Sequence, residues 1–220
     1  MKTIGIIGGL GPMATVYYLE QITRMTDAAK DQEHPRIFML SQPDIPDRTA
    51  YILGESEENP LPVLTQAARN LQELGADFIT IPCITAHYFY EDLTKQLDIP
   101  AIHLPRCVAQ DVAAEGIQKV GLLATAGTIR SQVLAREFEA AGVEVLVPDA
   151  EKLALLMQII YDQVKKGAPV HWESFYDVAV SLQERGAEKL ILGCTELPLL
   201  KREMVSDKGR TTAGVRQILM

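Results

Sequence analysis

Cysteine is scarce in this sequence, three in 220 residues, far below the density of a secreted disulfide scaffold. Neither a C-x-x-C pair nor a Cys/His ligand spacing occurs, which disfavours a zinc site. Basic runs are also missing, and the formal net charge is −8. Nucleic acid and anionic membrane surfaces are therefore not expected as partners, although an anionic small molecule can still be held where local charge in a cleft opposes the global sign. Near the N-terminus, Lys2 is followed by an apolar stretch of only four residues, Ile4 to Ile7. This is too short for a signal peptide or a membrane span, and a reducing cytoplasm is the expected setting. No low-complexity segment or long linker interrupts the chain.

What the sequence does have is a core and a repeat. With 47% hydrophobic residues it can bury one large domain or two lobes of roughly 100 residues each. Leu71-Gln72-Glu73-Leu74-Gly75-Ala76-Asp77, then apolar residues and Cys83, is matched by Leu182-Gln183-Glu184-Arg185-Gly186-Ala187-Glu188, then apolar residues and Cys194. The offset is 111 both from Gly75 to Gly186 and from Cys83 to Cys194. Each copy reads as a helix end, a glycine turn, a buried strand and a thiol just past the strand's carboxyl end. Stacked by a pseudo-two-fold, two such copies bring two thiols face to face across a cleft, the geometry for taking a proton from one side of a carbon and returning it on the other. A plainer account makes both small buried hydrophobes, since free Cys is among the most buried residue types; the repeated context weighs against it. Cys107, in Pro105-Arg106-Cys107-Val108-Ala109, has no counterpart and reads as structural.

Apolar runs bounded by Gly or Pro alternate with amphipathic segments. Strands are expected near 3–8, 36–41, 77–82, 100–103, 119–124, 143–147 and 188–192. Helices are expected near 12–29, 60–74, 86–97, 105–115, 128–141, 150–166 and 171–185. The alternation implies an α/β fold with parallel sheets and helices on both faces, and the repeat favours two pseudo-symmetric lobes. The first strands of the halves also match loosely, Gly5-Ile6-Ile7-Gly8 against Gly121-Leu122-Leu123-Ala124. The lobes are expected at 1–105 and 106–200, followed by an atypical tail, 201–220. Ligands in open α/β sheets bind beyond the strands' carboxyl ends, where Gly8 to Gly11, Cys83, Thr125 and Cys194 all fall.

Gly9-Leu10-Gly11-Pro12-Met13-Ala14 satisfies the dinucleotide pattern G-x-G-x-x-A after a strand. The next strand, however, ends without an adjacent acidic residue to hold a ribose. Pro12 suits a first helical position, and the glycines are better read as letting backbone N–H groups approach a small carboxylate.

Gly8-Gly9-Leu10-Gly11-Pro12-Met13-Ala14-Thr15, Ile45-Pro46-Asp47-Arg48-Thr49, Pro82-Cys83 with Thr85-Ala86-His87, Thr125-Ala126-Gly127-Thr128 and Gly193-Cys194-Thr195-Glu196 stand in the order and spacing of the aspartate/glutamate racemase family. Over roughly residues 1–200 the chain resembles that family, aspartate racemases most. The resemblance implies a cofactor-independent amino-acid racemase of two Rossmann-like lobes, acting on a small acidic amino acid, commonly a homodimer, with the active site in the interlobe cleft. It implies Cys83 and Cys194 as catalytic residues and Gly11, Arg48, Thr85, Thr125, Lys165 and Thr195 as substrate-binding residues, with no metal.

The chemistry can also be argued without the family. An α-proton is very weakly acidic, and a free cysteine, with a pKa near about 8.5, is mostly protonated at neutral pH. One thiol must be a thiolate while the other keeps its proton. Positioned acid and base contribute perhaps 10²–10⁴-fold each, so donors around the α-carboxylate must stabilise the carbanion-like state. Arg48, in a stiff Pro-rich loop, can grip a carboxylate with two prongs; the alternative is a surface arginine paired with Asp44 or Asp47. Lys165 taken alone is an ordinary cation at a helix C-terminus. Thr85 and Thr195 can donate from hydroxyls beside the thiols or cap helices. His87 and Glu196 can cap or orient helices, and His103 and His171 read as structural.

Two departures stand out. The family usually places Asn after the first catalytic cysteine, and this chain has Ile84. After Leu200 the family has a short strand, an Asp-Pro turn and a closing helix, whereas Lys201 to Met220 shows no clear periodicity. Two other functions therefore stay open, a small-dicarboxylate isomerase or decarboxylase of the same superfamily and a noncatalytic small-acid-binding protein.

Overall fold

The computed structural model describes residues 1–200 and the backbone of 218–219; the rest of the expected atypical tail lies outside the described residues. The chain divides into two compact units, Met1–Leu104 and Pro105–Met220.

In the first unit, β1 (Ile4–Gly8) lies between β2 (Ile37–Ser41) and β3 (Phe78–Thr80), all parallel. Ile6 and Ile7 of β1 are fully buried, as expected for a central parallel strand covered on both faces. Helices α1 (Pro12–Met25), α2 (Arg48–Leu53) and α3 (Leu61–Glu73) make the crossovers. Leu64, Ala67, Ala68 and Leu71 form the buried stripe of α3, which packs with Ile7, Ile79 and Ile81. A 3₁₀ turn (Thr85–Phe89) and α4 (Tyr90–Thr94) follow β3.

In the second unit, β4 (Lys119–Leu123) lies between β5 (Glu144–Leu146) and β6 (Lys189–Leu192), again parallel, and the two-residue β7 (Ile218–Leu219) adds to β6. The helices are α5 (Leu104–Ala114), α6 (Ala126–Ser131), α7 (Ala135–Ala140), α8 (Ala150–Gln158) and α9 (Trp172–Glu184). Leu123, Leu190 and Leu192 meet Phe175, Val178 and Leu182 of α9 in its core. Two parallel α/β sheets of the same strand order are thus present, as the alternation implied.

The repeat extends to individual atoms. Gly75 and Gly186 close their helices with φ of 92° and 97°, a backbone that only glycine adopts without strain. The next amides then return to matched acceptors, Ala76 N–H to Leu71 O at 3.0 Å and Ala187 N–H to Leu182 O at 3.1 Å. A Cβ on Gly5 would come within 2.8 Å of Ile79, 3.0 Å of Ala76 and 3.3 Å of Leu71. On Gly121 it would come within 2.7 Å of Leu190, 2.9 Å of Leu182 and 3.2 Å of Ala187. Those are the same three stations of the repeat, so each central strand carries glycine where the helix and turn of its own copy press closest.

Several expected elements differ. The helix expected over 12–29 stops at Met25, where the Thr26 hydroxyl bonds the Ile22 carbonyl at 2.6 Å. The strand expected at 100–103 is a single bridge, Ala101 against Ile79, because Pro100 has no N–H to give and α5 begins at Leu104. The helix expected over 128–141 starts at Ala126, capped by Thr125, and breaks at Gln132, whose φ is 57°. The one expected over 150–166 widens after Gln158 into π-helical turns, Ile159–Val164. Arg48, expected in a loop, opens the short helix α2 instead, with the Asp47 carboxylate accepting from Ala50 N–H at 2.8 Å. Among the described residues no helix is long and apolar enough to cross a membrane.

Candidate active site

In the first unit the site residues gather at the carboxyl ends of the three strands. The turn after β1 is glycine-rich because the chain crosses itself there: a Cβ on Gly9 would fall 2.5 Å from the backbone of Gln42. Thr15 locks the turn, accepting from Gly9 N–H at 2.8 Å and donating to Gly11 O at 2.9 Å. Gly11 occupies the N-cap of α1 with no side chain to fill it, leaving the helix's first donors to other acceptors. Arg48 is only 8% exposed. Its Nη1 donates to the carbonyls of Ile45 at 3.0 Å and Pro46 at 2.9 Å, so the guanidinium is built into the unit rather than laid on its surface. Helix α2 packs on the turn that follows the first thiol, with Tyr51 and Phe89 rings 5.7 Å apart.

Cys83 follows β3 and is 5% exposed, with Ile84 and Thr85 also buried beside it. His87 fixes this corner. Its Nε2 accepts from Leu104 N–H at 3.2 Å, so Nδ1 carries the proton and donates to the Cys83 carbonyl at 2.9 Å. Burial, with a smaller push from neighbouring His103, lowers the imidazole pKa to about 4, so His87 is neutral at physiological pH. It orients the thiol's backbone rather than serving as an acid.

The second unit repeats the placement with different chemistry. Thr125, past β4, caps α6 by accepting from Thr128 N–H at 3.2 Å. Cys194, past β6, is 6% exposed and its thiol donates to Glu196 Oε2 at 2.9 Å. The other carboxylate oxygen, Oε1, meets Lys165 Nζ at 2.8 Å. Lys165 also lies over the Tyr161 ring, 5.2 Å from its centre. The Thr195 hydroxyl is 3.5 Å from Glu196 Oε2. Burial raises the Cys194 pKa well above the usual thiol value, and the Glu196 charge and hydrogen bond raise it further, Lys165 opposing them only in part. Burial works against the Lys165 ammonium, but the Glu196 carboxylate outweighs it and the lysine's pKa is raised.

The structure thus brings Cys194, Thr195 and Lys165 together, and sets Gly11, Arg48, Cys83 and Thr85 in the segments that follow the strands of the first unit, Arg48 as the first residue of α2 and Thr85 as the first of the 3₁₀ turn. Cys107 is exposed in the first turn of α5. The residue that sequence reasoning undervalued is Glu196. Its signal was a carboxylate two residues past a thiol, but its bond to Lys165 spans 31 positions of chain and needs the fold.

These features define a class, an α/β protein of two parallel-sheet units each presenting one buried thiol at a strand end. Residues 7–215 match the model of the Asp/Glu/hydantoin racemase family, and the chain belongs to that family. A broad specificity amino-acid racemase of Bacillus subtilis is 25% identical over 200 residues, 88% of this chain and 85% of that one. A glutamate racemase of Deinococcus radiodurans is 32% identical over 167 residues, 74% of this chain but 56% of the longer relative. The solved structure of Picrophilus torridus aspartate racemase superposes with a TM-score of 0.77 at 28% identity, covering 94% of this chain and 87% of that one. Membership supports a racemase, an enzyme of the isomerase class.

Proposed function

We propose that this chain racemises a small acidic amino acid, aspartate foremost, without a cofactor, using Cys83 and Cys194 as the two bases. The observation that carries the proposal is the pair of buried thiols at equivalent stations, 111 residues apart, each just past the carboxyl end of its strand. In this reading the lobes 1–105 and 106–200 contribute one thiol each. One thiolate takes the α-proton, the electron pair staying on carbon, while the opposite thiol delivers its proton to the other face. Arg48 and Lys165 hold carboxylates, Thr85, Thr125 and Thr195 supply hydroxyl donors, and the Gly11 turn offers backbone N–H groups. Together they stabilise the charge that develops as the proton leaves. The named activities of the relatives, aspartate, glutamate and broad amino-acid racemisation, support the reaction and leave the substrate to experiment.

A cytoplasmic homodimer completes the proposal. The test of function is incubation of purified protein with individual L-amino acids in deuterated water. α-Deuteration with inversion supports racemisation, and the largest rate identifies the substrate. A product of changed mass would support decarboxylation, and binding without exchange a noncatalytic role; either result overturns the proposal. Size-exclusion chromatography with light scattering tests the dimer.

A further inference from the structure

Two-thiol chemistry has no stated task for Glu196, although it is among the most enclosed ionisable groups of the described residues, its side chain 5% exposed. The two halves of the repeat diverge here. At the 111-residue offset Glu196 corresponds to Thr85 and Thr195 to Ile84, so only the second thiol is followed at this station by a carboxylate. The Glu196 carboxylate bridges two groups, taking the Cys194 thiol on Oε2 at 2.9 Å and the Lys165 ammonium on Oε1 at 2.8 Å. A thiol that donates to a carboxylate is held in its protonated form, because a thiolate there would meet a like charge at contact.

We propose that Glu196 is a positioning residue that holds Cys194 as the protonated member of the pair. The resting enzyme then has a fixed polarity, in which Cys194 delivers a proton and Cys83 accepts one. The inference rests on the functional reading above and deepens it. Cys83 thiolate takes the α-proton and its S–H bond forms as the Cα–H bond breaks. The Cys194 S–H bond then breaks, its proton goes to the opposite face of Cα, and the electron pair stays on sulfur. That thiolate lies against Glu196, so it regains a proton from water, while Cys83 loses its own to water, and the starting polarity is restored. The raised proton affinity of Cys194 has the sign this requires. The charged and titratable groups facing the carboxylate include Cys194 from its own loop and, from the π-helical turns and their end, Lys165 lying over Tyr161.

The test is the pH dependence of iodoacetamide alkylation of the full-length protein, read thiol by thiol by peptide mass spectrometry. In the parent protein the Cys194 midpoint is expected well above that of exposed Cys107; restricted access of the reagent slows the reaction at every pH but does not move the midpoint. In Glu196→Gln, which keeps the shape and an acceptor for Lys165, the Cys194 midpoint is expected to fall by at least one pH unit. Its alkylation at neutral pH then rises about tenfold or more, since each unit is a factor of ten in thiolate. The alkaline limb of the kcat/KM profile for racemisation, which reports the free enzyme's essential acid, is expected to move down with it. A parent Cys194 midpoint at or below that of Cys107 overturns the proposal without any variant. So does an unmoved midpoint in folded Glu196→Gln, or a rise in KM with the pH profile unchanged, which would make Glu196 only a support for Lys165. The alkylation arms need no turnover, so an inactive parent, which would end the functional reading, is told apart from an unmoved midpoint, which would end this one.

Discussion

At the residue scale the two cations of the proposed site are held differently. Arg48 is tied to the carbonyls of its own loop, which fixes its direction before any ligand arrives and lowers the ordering cost of binding. Arg48→Ala is expected to lower kcat/KM for the best substrate about 100-fold, the loss of a charged hydrogen bond of about 2–3 kcal/mol, with circular dichroism confirming the fold. Unchanged steady-state parameters would remove Arg48 from the site. Ile84 is buried beside Cys83 and offers no hydrogen bond where the family resemblance expects an amide. Ile84→Asn is therefore expected to raise aspartate racemisation at least about tenfold, and lower activity in a folded variant would show that Ile84 belongs to a competent pocket. His87 sets an acid limit on stability. Its pKa falls from 6.5 to about 4 on folding, so between those values the unfolded chain binds the extra proton. About 3 kcal/mol of stability, present in full above pH 6.5, is lost as the pH falls towards 4. Urea titrations across pH 4–7 should show that slope in the parent and a shallower one in His87→Gln.

At the element scale the central glycines are the sharpest test of the repeat. Gly5→Ala and Gly121→Ala each force a methyl against the matching helix, turn and strand of their own copy, and each is expected to cost about 1–3 kcal/mol by urea denaturation. A neutral result at either would mean the strand and helix can part without penalty. The central strands were legible in the sequence because a parallel strand buried on both faces shows as an uninterrupted apolar run, as in Ile6–Ile7 and Leu190–Leu192. The thiols were legible because their context repeats. Helix α2 was not, because six residues are too few to display a period. The π-helical turns were hidden for the opposite reason: the apolar pattern through Ile159 and Ile160 fits one continuous helix, and the widening shows only in the backbone, where Lys165 N–H reaches Ile160 O at 3.0 Å. π-Helical turns often mark functional sites, and here they end at the lysine that pairs with Glu196. The break at Gln132 follows from a left-handed backbone on a residue with no special liking for it, which no local pattern announces.

At the scale of the whole molecule, two units of the same topology carry unlike surroundings for the same atom. The first anchors the Cys83 carbonyl to the neutral His87 ring; the second sets Cys194 against a carboxylate that also pairs with a lysine. That combination, common architecture with divergent electrostatics, is what a reaction needing one acid and one base at a time requires. On the proposed mechanism neither thiol alone completes inversion, and Cys107, exposed and outside the repeat, is expected to have no part in it. The most direct measurement is therefore L-aspartate racemisation, or that of whichever amino acid the parent inverts fastest, by the folded single variants Cys83→Ala, Cys194→Ala and Cys107→Ala. Loss of racemisation in the first two, by at least about 10³-fold, with near-parental activity in the third, is the expected result. Full activity with either Cys83 or Cys194 removed, or equal loss on removing Cys107, would contradict the two-thiol account.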